Sequence, residues 1–212
     1  QGRLIGDFTV SCLSQDSFQL TASYGAQAFH ERWFRQHLDP GITLENLSDQ
    51  RTGFQIAGPK AFEVLSDVCR TPLLDMSFLD VREMTLGLYA CLVQRVSYTG
   101  DLGFEIYTDK MHQRGLFDVL WTAGQRHGMQ PFGMRAMMSL RLDKFFGSWM
   151  NEYSPDYTAG ETGLDRFIDF DKPVDFIGRA AAEKERAAGS ARCLVAFEVD
   201  AEDADVTAYE PV

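Results

Sequence analysis

Short alternating apolar segments joined by tight turns constrain this sequence more than any other feature. Residues 3–10 and 18–22 alternate as strands do, and residues 14–17 between them offer turn-forming side chains. A second pair of strands is predicted within residues 84–96, turning at Gly87. Strands separated by so few residues pair as antiparallel hairpins.

Helical spacing of apolar residues separates these hairpins. Helices are expected over residues 26–38, 61–68, 114–128, 133–144 and 180–188. Further strands are expected over residues 42–46, 52–57, 104–107 and 193–199. Because the strands mostly pair as hairpins, the sequence predicts the α+β class, with antiparallel sheets and flanking helices.

Composition excludes several classes of function. The 212 residues carry a formal net charge of −11, which argues against a nucleic-acid partner because such proteins need a basic face. No apolar run reaches the roughly 18 residues needed to span a bilayer, so no membrane partner is expected. The four cysteines show no metal or disulfide spacing, which favours a reduced, cytoplasmic protein without a metal site.

Asp7 interrupts the first apolar alternation with a single carboxylate. A charge within a strand is costly if it is buried without a partner, so its presence there suggests a function. The alternative is an acid that simply faces solvent.

Residues 98–105 (YTGDLGFE) form the second candidate. Two glycines allow a tight turn whose backbone can approach a ligand closely. Glu105 follows as part of a strand, with its side chain pointing away from those of Phe104 and Ile106. Such a carboxylate could accept two adjacent N–H donors from a flat heterocycle, or it could lie on an ordinary surface.

Arg141 and Lys144 form the third candidate, because residues three apart share one face of a helix. They could hold an anionic tail, or pair with Asp143 and its neighbours.

Several of these segments, in this order, resemble one known family. The matching stretches are GRLIGD, IAGP, YTGDLGFE, SLRLDK, GLD and FIGR, spread between Gly2 and Arg179. Together they resemble the folate-binding aminomethyltransferases, of which the glycine cleavage T-protein is the best known. T-proteins usually have two adjacent aspartates where this chain has Gly6 and Asp7. This difference and the residues that follow Lys144 make the chain more similar to the C-terminal domains of dimethylglycine and sarcosine dehydrogenases.

The resemblance implies an aminomethyltransferase fold that is incomplete at both ends. Residues 1–189 correspond to a folate-binding region of two α+β lobes. Residues 190–212 correspond to the start of a truncated β-barrel-like domain. A flavin dehydrogenase domain or subunit is the implied partner, and the chain is expected to be a fragment of a longer protein.

The resemblance also implies the chemistry of the site. Asp7 matches the acid that accepts a proton beside the reactive nitrogens of tetrahydrofolate, and Glu105 matches the residue that binds the pterin. Tyr98 is expected to line the same pocket, and Arg141 to contact the cofactor or brace Glu105. Trp149 is expected to pack against folate or to fill the core.

The implied reaction moves a one-carbon unit from a glycine, sarcosine or dimethylglycine-type amine to give 5,10-methylenetetrahydrofolate. Met137 and Met138 stand where many members of the family have polar side chains. The resemblance therefore does not fix the identity of the one-carbon donor, which could also be a sulfonium compound. The alternative is a folate-binding regulatory or structural module that does not turn over.

Overall fold

A computed structural model describes residues 2–70, 73 and 75–200 of the chain. These residues form two compact units. The larger unit spans Ile5–Asn151, and the smaller unit combines the described residues before Ile5 with those after Asn151. Helices are interspersed with antiparallel strands, which confirms the predicted α+β class.

The larger unit begins with the predicted hairpin. Strands β1 (Thr9–Ser14) and β2 (Ser17–Thr21) pair antiparallel around a two-residue turn. The first strand starts later than its alternation predicted, because Gly6 and Phe8 pack against His30 instead of pairing with another strand.

A four-stranded antiparallel sheet forms the centre of the same unit. Its strands are β3 (Arg51–Ala57), β4 (Val81–Leu86), β5 (Tyr89–Gln94) and β6 (Gly103–Asp109), in the order β3-β6-β5-β4. The hairpin predicted to turn at Gly87 is confirmed: that glycine joins β4 to β5 with a φ of 61°.

The hydrophobic core lies on one face of this sheet, beneath helices α2 (Ala61–Ser66) and α3 (Gln113–Arg126). Phe104 and Ile106 of β6 are fully buried there. Burying side chains of this size stabilises a fold by about 1.5–3 kcal/mol each. The core therefore fixes β6, which leaves the intervening Glu105 on the opposite face of the sheet.

The remaining helices of the larger unit differ slightly from the predicted ones. Helix α1 covers Gln27–His37 and helix α4 covers Met134–Leu140. The single helix predicted over residues 133–144 continues only as a 3-10 turn, Arg141–Lys144, because Phe145 adopts a left-handed conformation (φ 56°) that ends it.

The strand predicted over residues 42–46 does not form. The Asn46 side chain donates instead to Glu31 of helix α1, with an Nδ2–Oε2 distance of 2.9 Å. This segment therefore packs along a helix rather than beside another strand.

The smaller unit contains helix α5 (Arg179–Ala188) and a loop held by Glu161. The Glu161 carboxylate is buried and accepts from Arg192, with an Nε–Oε1 distance of 2.9 Å. The strand predicted over residues 193–199 is wrong: the Leu194 N–H donates to the backbone carbonyl of Glu161, not to a strand. Residues 201–212, on which most of the predicted further domain falls, lie outside the described residues.

Candidate functional site

The sheet face opposite the core carries a row of polar side chains across three neighbouring strands. Glu105 of β6 lies directly opposite Gln55 of β3 on one side and Gln94 of β5 on the other. Side chains at directly opposed positions of antiparallel strands lie on the same face, about 4.5–5.5 Å apart at Cβ. The predicted orientation of Glu105, away from Phe104 and Ile106, is therefore confirmed.

The Glu105 carboxylate already accepts hydrogen bonds from two neighbours. The Tyr107 hydroxyl donates to Oε2 at 2.5 Å, and the Gln55 amide donates to Oε1 at a longer 3.4 Å. Burial nevertheless raises the pKa of Glu105, although both hydrogen bonds oppose that shift. Burial and the adjacent Glu105 charge likewise raise the pKa of Tyr107.

Two amide oxygens beside this carboxylate are buried without a hydrogen-bond partner in the described part of the chain, namely Oε1 of Gln55 and Oε1 of Gln94. Gln94 is only 3% exposed, and its Nε2 donates to the buried Ser11 hydroxyl of β1 at 2.6 Å. Buried polar atoms are normally paired, so unpaired ones point to a missing partner. The row as a whole has more hydrogen-bond acceptors than donors.

The sequence alternation placed Asp7 within a strand. In the structure the residue lies just before β1 instead. The residue keeps a solvent-exposed face, while the protein packed around it removes enough water to raise the pKa of its carboxyl group. Within the described residues, no side chain forms an ion pair or hydrogen bond with it. Asp7 is thus an accessible carboxylate whose pKa is shifted toward neutrality.

Tyr98 and Arg141 are both anchored to the segment that follows the 3-10 turn. The Tyr98 hydroxyl donates to the carbonyl of Gly147 at 2.8 Å, and its ring stacks on Phe146 at 6.4 Å between centroids. Arg141 is buried, and its NH1 donates to the carbonyl of Phe146 at 2.6 Å. These contacts hold both side chains in place, while their roles toward a cofactor stay predictions.

Trp149 belongs to an aromatic cluster in the larger unit. It is 7% exposed and stacks on Phe29 at 6.3 Å between ring centroids, with His30 at 5.3 Å. Burial lowers the pKa of His30, partly offset by a hydrogen bond with the Ile5 backbone. Nε1 of Trp149 is buried without a hydrogen-bond partner among the described residues, so contact with folate and filling of the core both stay predictions for this residue.

In the loop before β6 the backbone comes close to another side chain of the protein, while its predicted approach to a ligand stays a prediction. Gly100 has a φ of 77°, and an added Cβ there would overlap the side chain of Lys144. Lys144 therefore lies on this loop, which brings the second and third sequence candidates together.

Sequence reasoning did not identify Gln55, Gln94 and Tyr107 as part of the site. A signal was present for Gln55 and Tyr107, each of which alternates with the apolar residues beside it, whereas Gln94 shares its phase with the apolar Leu92. Alternation within β6 places Tyr107 on the same face as Glu105, whereas only the register between strands shows that Gln55 and Gln94 lie beside it.

The described residues contain neither a metal-binding group of side chains nor a helix that could span a membrane. Their His, Cys, Asp and Glu side chains form no group of three or more that could hold a metal ion. None of the helices in the described ranges has the length and apolarity to span a bilayer.

The fold matches a solved structure of known class. The crystal structure of glycine cleavage system aminomethyltransferase T from Bartonella henselae superposes with a TM-score of 0.76 at 25% identity, covering 91% of this chain and 52% of that one. The fold thus places this chain in the aminomethyltransferase class of folds.

The chain belongs to the family described as the GCVT N-terminal domain, whose sequence model matches residues 1–172. It is 32% identical to human mitochondrial dimethylglycine dehydrogenase, in an alignment that covers 100% of this chain and 25% of that protein. It is 31% identical to the aminomethyltransferase of Natranaerobius thermophilus, over 93% of this chain and 54% of the other. The chain therefore spans between a quarter and about half of these relatives.

Proposed function

We propose that this chain carries the folate site of a one-carbon transferase. The reaction takes the one-carbon unit of a glycine, sarcosine or dimethylglycine-type amine and gives 5,10-methylenetetrahydrofolate. The observation that carries the proposal is the desolvated Glu105 carboxylate, set between two amide side chains in a chain of the GCVT N-terminal domain family.

The polar row suits the pterin ring of a folate. A pterin presents N–H donors on its 2-amino group and on the neighbouring N3, and one carboxylate can accept from both in a charge-assisted pair. Each carboxylate oxygen has about two acceptor positions, so Glu105 retains capacity beyond its hydrogen bonds with Tyr107 and Gln55. A bound donor would also compensate the cost of keeping this charge buried.

Asp7 fits the role of the base. A carboxylate with a raised pKa is better matched to proton transfer near neutral pH than an ordinary aspartate. Its negative charge also favours a cationic one-carbon donor at the same place. Tetrahydrofolate, when bound, supplies the amine nitrogens that take up the one-carbon unit.

The similarity to dimethylglycine dehydrogenase supports a flavin dehydrogenase domain or subunit as the partner. Such a partner oxidises an N-methyl amine and so produces the electrophilic carbon that a transferase site captures. The proposal predicts that amine donors are turned over only when that partner is present, whereas formaldehyde serves without it.

The alternative is a folate-binding regulatory or structural module without turnover. Both functions need Glu105, but only the transferase needs the base. Asp7 favours the transferase, because it is accessible and no described side chain pairs with it, which leaves its carboxylate available to accept a proton.

The test is the rate at which the chain forms methylenetetrahydrofolate from formaldehyde and tetrahydrofolate, compared with the reaction in buffer. We expect Asp7→Asn to lower the enzymatic rate by about 10²–10⁴-fold, the usual contribution of a general base, while folate affinity stays within about twofold of the unchanged chain. Asp16→Asn, in the exposed β1–β2 turn, is the matched control and should keep full activity. Folate binding without any acceleration would support the non-catalytic alternative.

A further inference from the structure

The two glutamines beside Glu105 differ in one property, which is whether the terminal amide group can rotate by half a turn and exchange its oxygen and nitrogen. Gln55 donates its Nε2 to the Glu105 carboxylate, which has no hydrogen to give. Turning that amide would place two acceptor oxygens against each other, so Oε1 of Gln55 is a fixed, buried acceptor without a partner among the described residues.

Gln94 is free to turn. Its partner is the Ser11 hydroxyl, which can either accept from the amide nitrogen or donate to the amide oxygen. One end of the amide is left without a partner within the described chain in either orientation. Gln94 can therefore offer a donor or an acceptor to a ligand on the same face as Glu105.

The edge of a pterin ring has a matching order of groups. With N3–H and the 2-amino group on Glu105, the carbonyl oxygen O4 lies on one side, and N1 and N8 lie on the other. Neighbouring strands are about 4.8 Å apart, so side chains on both adjacent strands can reach groups that flank the pair on Glu105. In dihydro- and tetrahydrofolates N8 carries a hydrogen, whereas in fully oxidised folate it carries a lone pair.

Resting on the proposed folate function, the geometry points to Gln55 as the residue that reads N8 and selects reduced folates over oxidised folate. Its fixed carbonyl accepts from N8–H and repels the lone pair of the oxidised ring. Gln94 turns to donate to O4, which both oxidation states possess. The two amides together also set which way round the ring lies on Glu105.

The test is calorimetric titration of the 212-residue chain and its Gln55→Met and Gln94→Met variants with 5-formyltetrahydrofolate and with folic acid. Methionine keeps the length of the side chain and removes its hydrogen-bonding groups. For the unchanged chain we expect the reduced folate to bind at least about tenfold more tightly, the size of one hydrogen bond gained against one repulsion.

The two variants should differ in pattern. Gln55→Met should reduce the preference for the reduced folate to about threefold or less, mainly by weakening its binding. Gln94→Met should weaken both folates by a similar factor and keep the preference. Thermal unfolding of each variant reports whether it is folded, and Gln55→Thr, too short to reach N8, replaces Gln55→Met if that variant does not fold.

Three results would overturn this inference. The first is an unchanged preference in Gln55→Met, and the second is a loss of preference in Gln94→Met instead. In both cases the chain still binds folate, so the proposed function stands while Gln55 is no reader of N8. The third is an unchanged chain that binds neither folate, which contradicts the proposed function itself.

Discussion

At the scale of single residues, the site keeps a charge where the fold alone would not. Glu105 is a carboxylate on a sheet face between two amides. Because burial raises its pKa, ionising it lowers the stability of the chain without ligand. Binding sites commonly trade stability for function in this way. The charge becomes favourable only when a ligand supplies further donors.

The cost of burying this charge predicts the effect of Glu105→Gln on stability. Because burial raises the pKa of Glu105 in the folded chain above its ordinary value, the unfolded chain ionises first as pH rises, and stability is lost between the two pKa values. We expect Glu105→Gln to raise the free energy of unfolding at pH 7 by about 0.5–2 kcal/mol. The gain should disappear below pH 4, as measured by urea unfolding at both pH values.

Asp7 predicts the pH dependence of turnover. A base works only when ionised, and desolvation raises the pKa of this carboxyl above 3.8. We expect the transfer rate to fall as pH decreases, with a midpoint above the usual range of an aspartate. A pH profile that is flat between pH 4 and 7 would show that Asp7 does not act as the base.

At the scale of elements, strand β6 places the site because it is fixed by its other face. Phe104 contacts Phe62 of helix α2 edge-on at 5.0 Å between centroids, and both neighbours of Glu105 are fully buried. The strand begins at Gly103, where an added Cβ would come within 2.7 Å of Ser97 and 2.8 Å of the Ile56 carbonyl oxygen.

Gly103→Ala should therefore destabilise the fold by about 1–3 kcal/mol, the usual cost of overpacking. Gly25→Ala is the matched control, because an added Cβ there meets no other atom within 4 Å. Urea unfolding of the two variants measures the difference. Equal stabilities would show that the start of β6 tolerates a side chain.

Elements with strong local signals could be predicted from the sequence. Both hairpins and the orientation of Glu105 follow from alternation and turn residues, which act over a few positions. The strand predicted over residues 193–199 failed because β-forming residues make a strand only beside a partner strand. Gln55 and Gln94 escaped notice because inter-strand register depends on the whole sheet.

At the scale of the whole molecule, the chain corresponds to only part of the length of its relatives. It spans 25% of human dimethylglycine dehydrogenase and 54% of a bacterial aminomethyltransferase, yet all five predicted site residues lie in its larger unit. These five predicted residues can therefore be tested in this chain. Its ligand should then stabilise the folded state by mass action.

We expect 5-formyltetrahydrofolate at 100 times its dissociation constant to stabilise the chain by about 2.7 kcal/mol. For a chain of this length that corresponds to a rise of about 5–10 °C in Tm. The same ligand concentration should raise the Tm of Glu105→Gln far less. An equal rise in both proteins would place the ligand away from Glu105.

The most direct measurement is a calorimetric titration of the chain, Glu105→Gln and Glu83→Gln with 5-formyltetrahydrofolate. Glu83 is an exposed glutamate of the same sheet and controls for the loss of one negative charge. We expect micromolar binding that falls at least about tenfold, or 1.4 kcal/mol, in Glu105→Gln and stays unchanged in Glu83→Gln. Equal affinities for all three proteins, or no binding to the unchanged chain, would contradict this expectation.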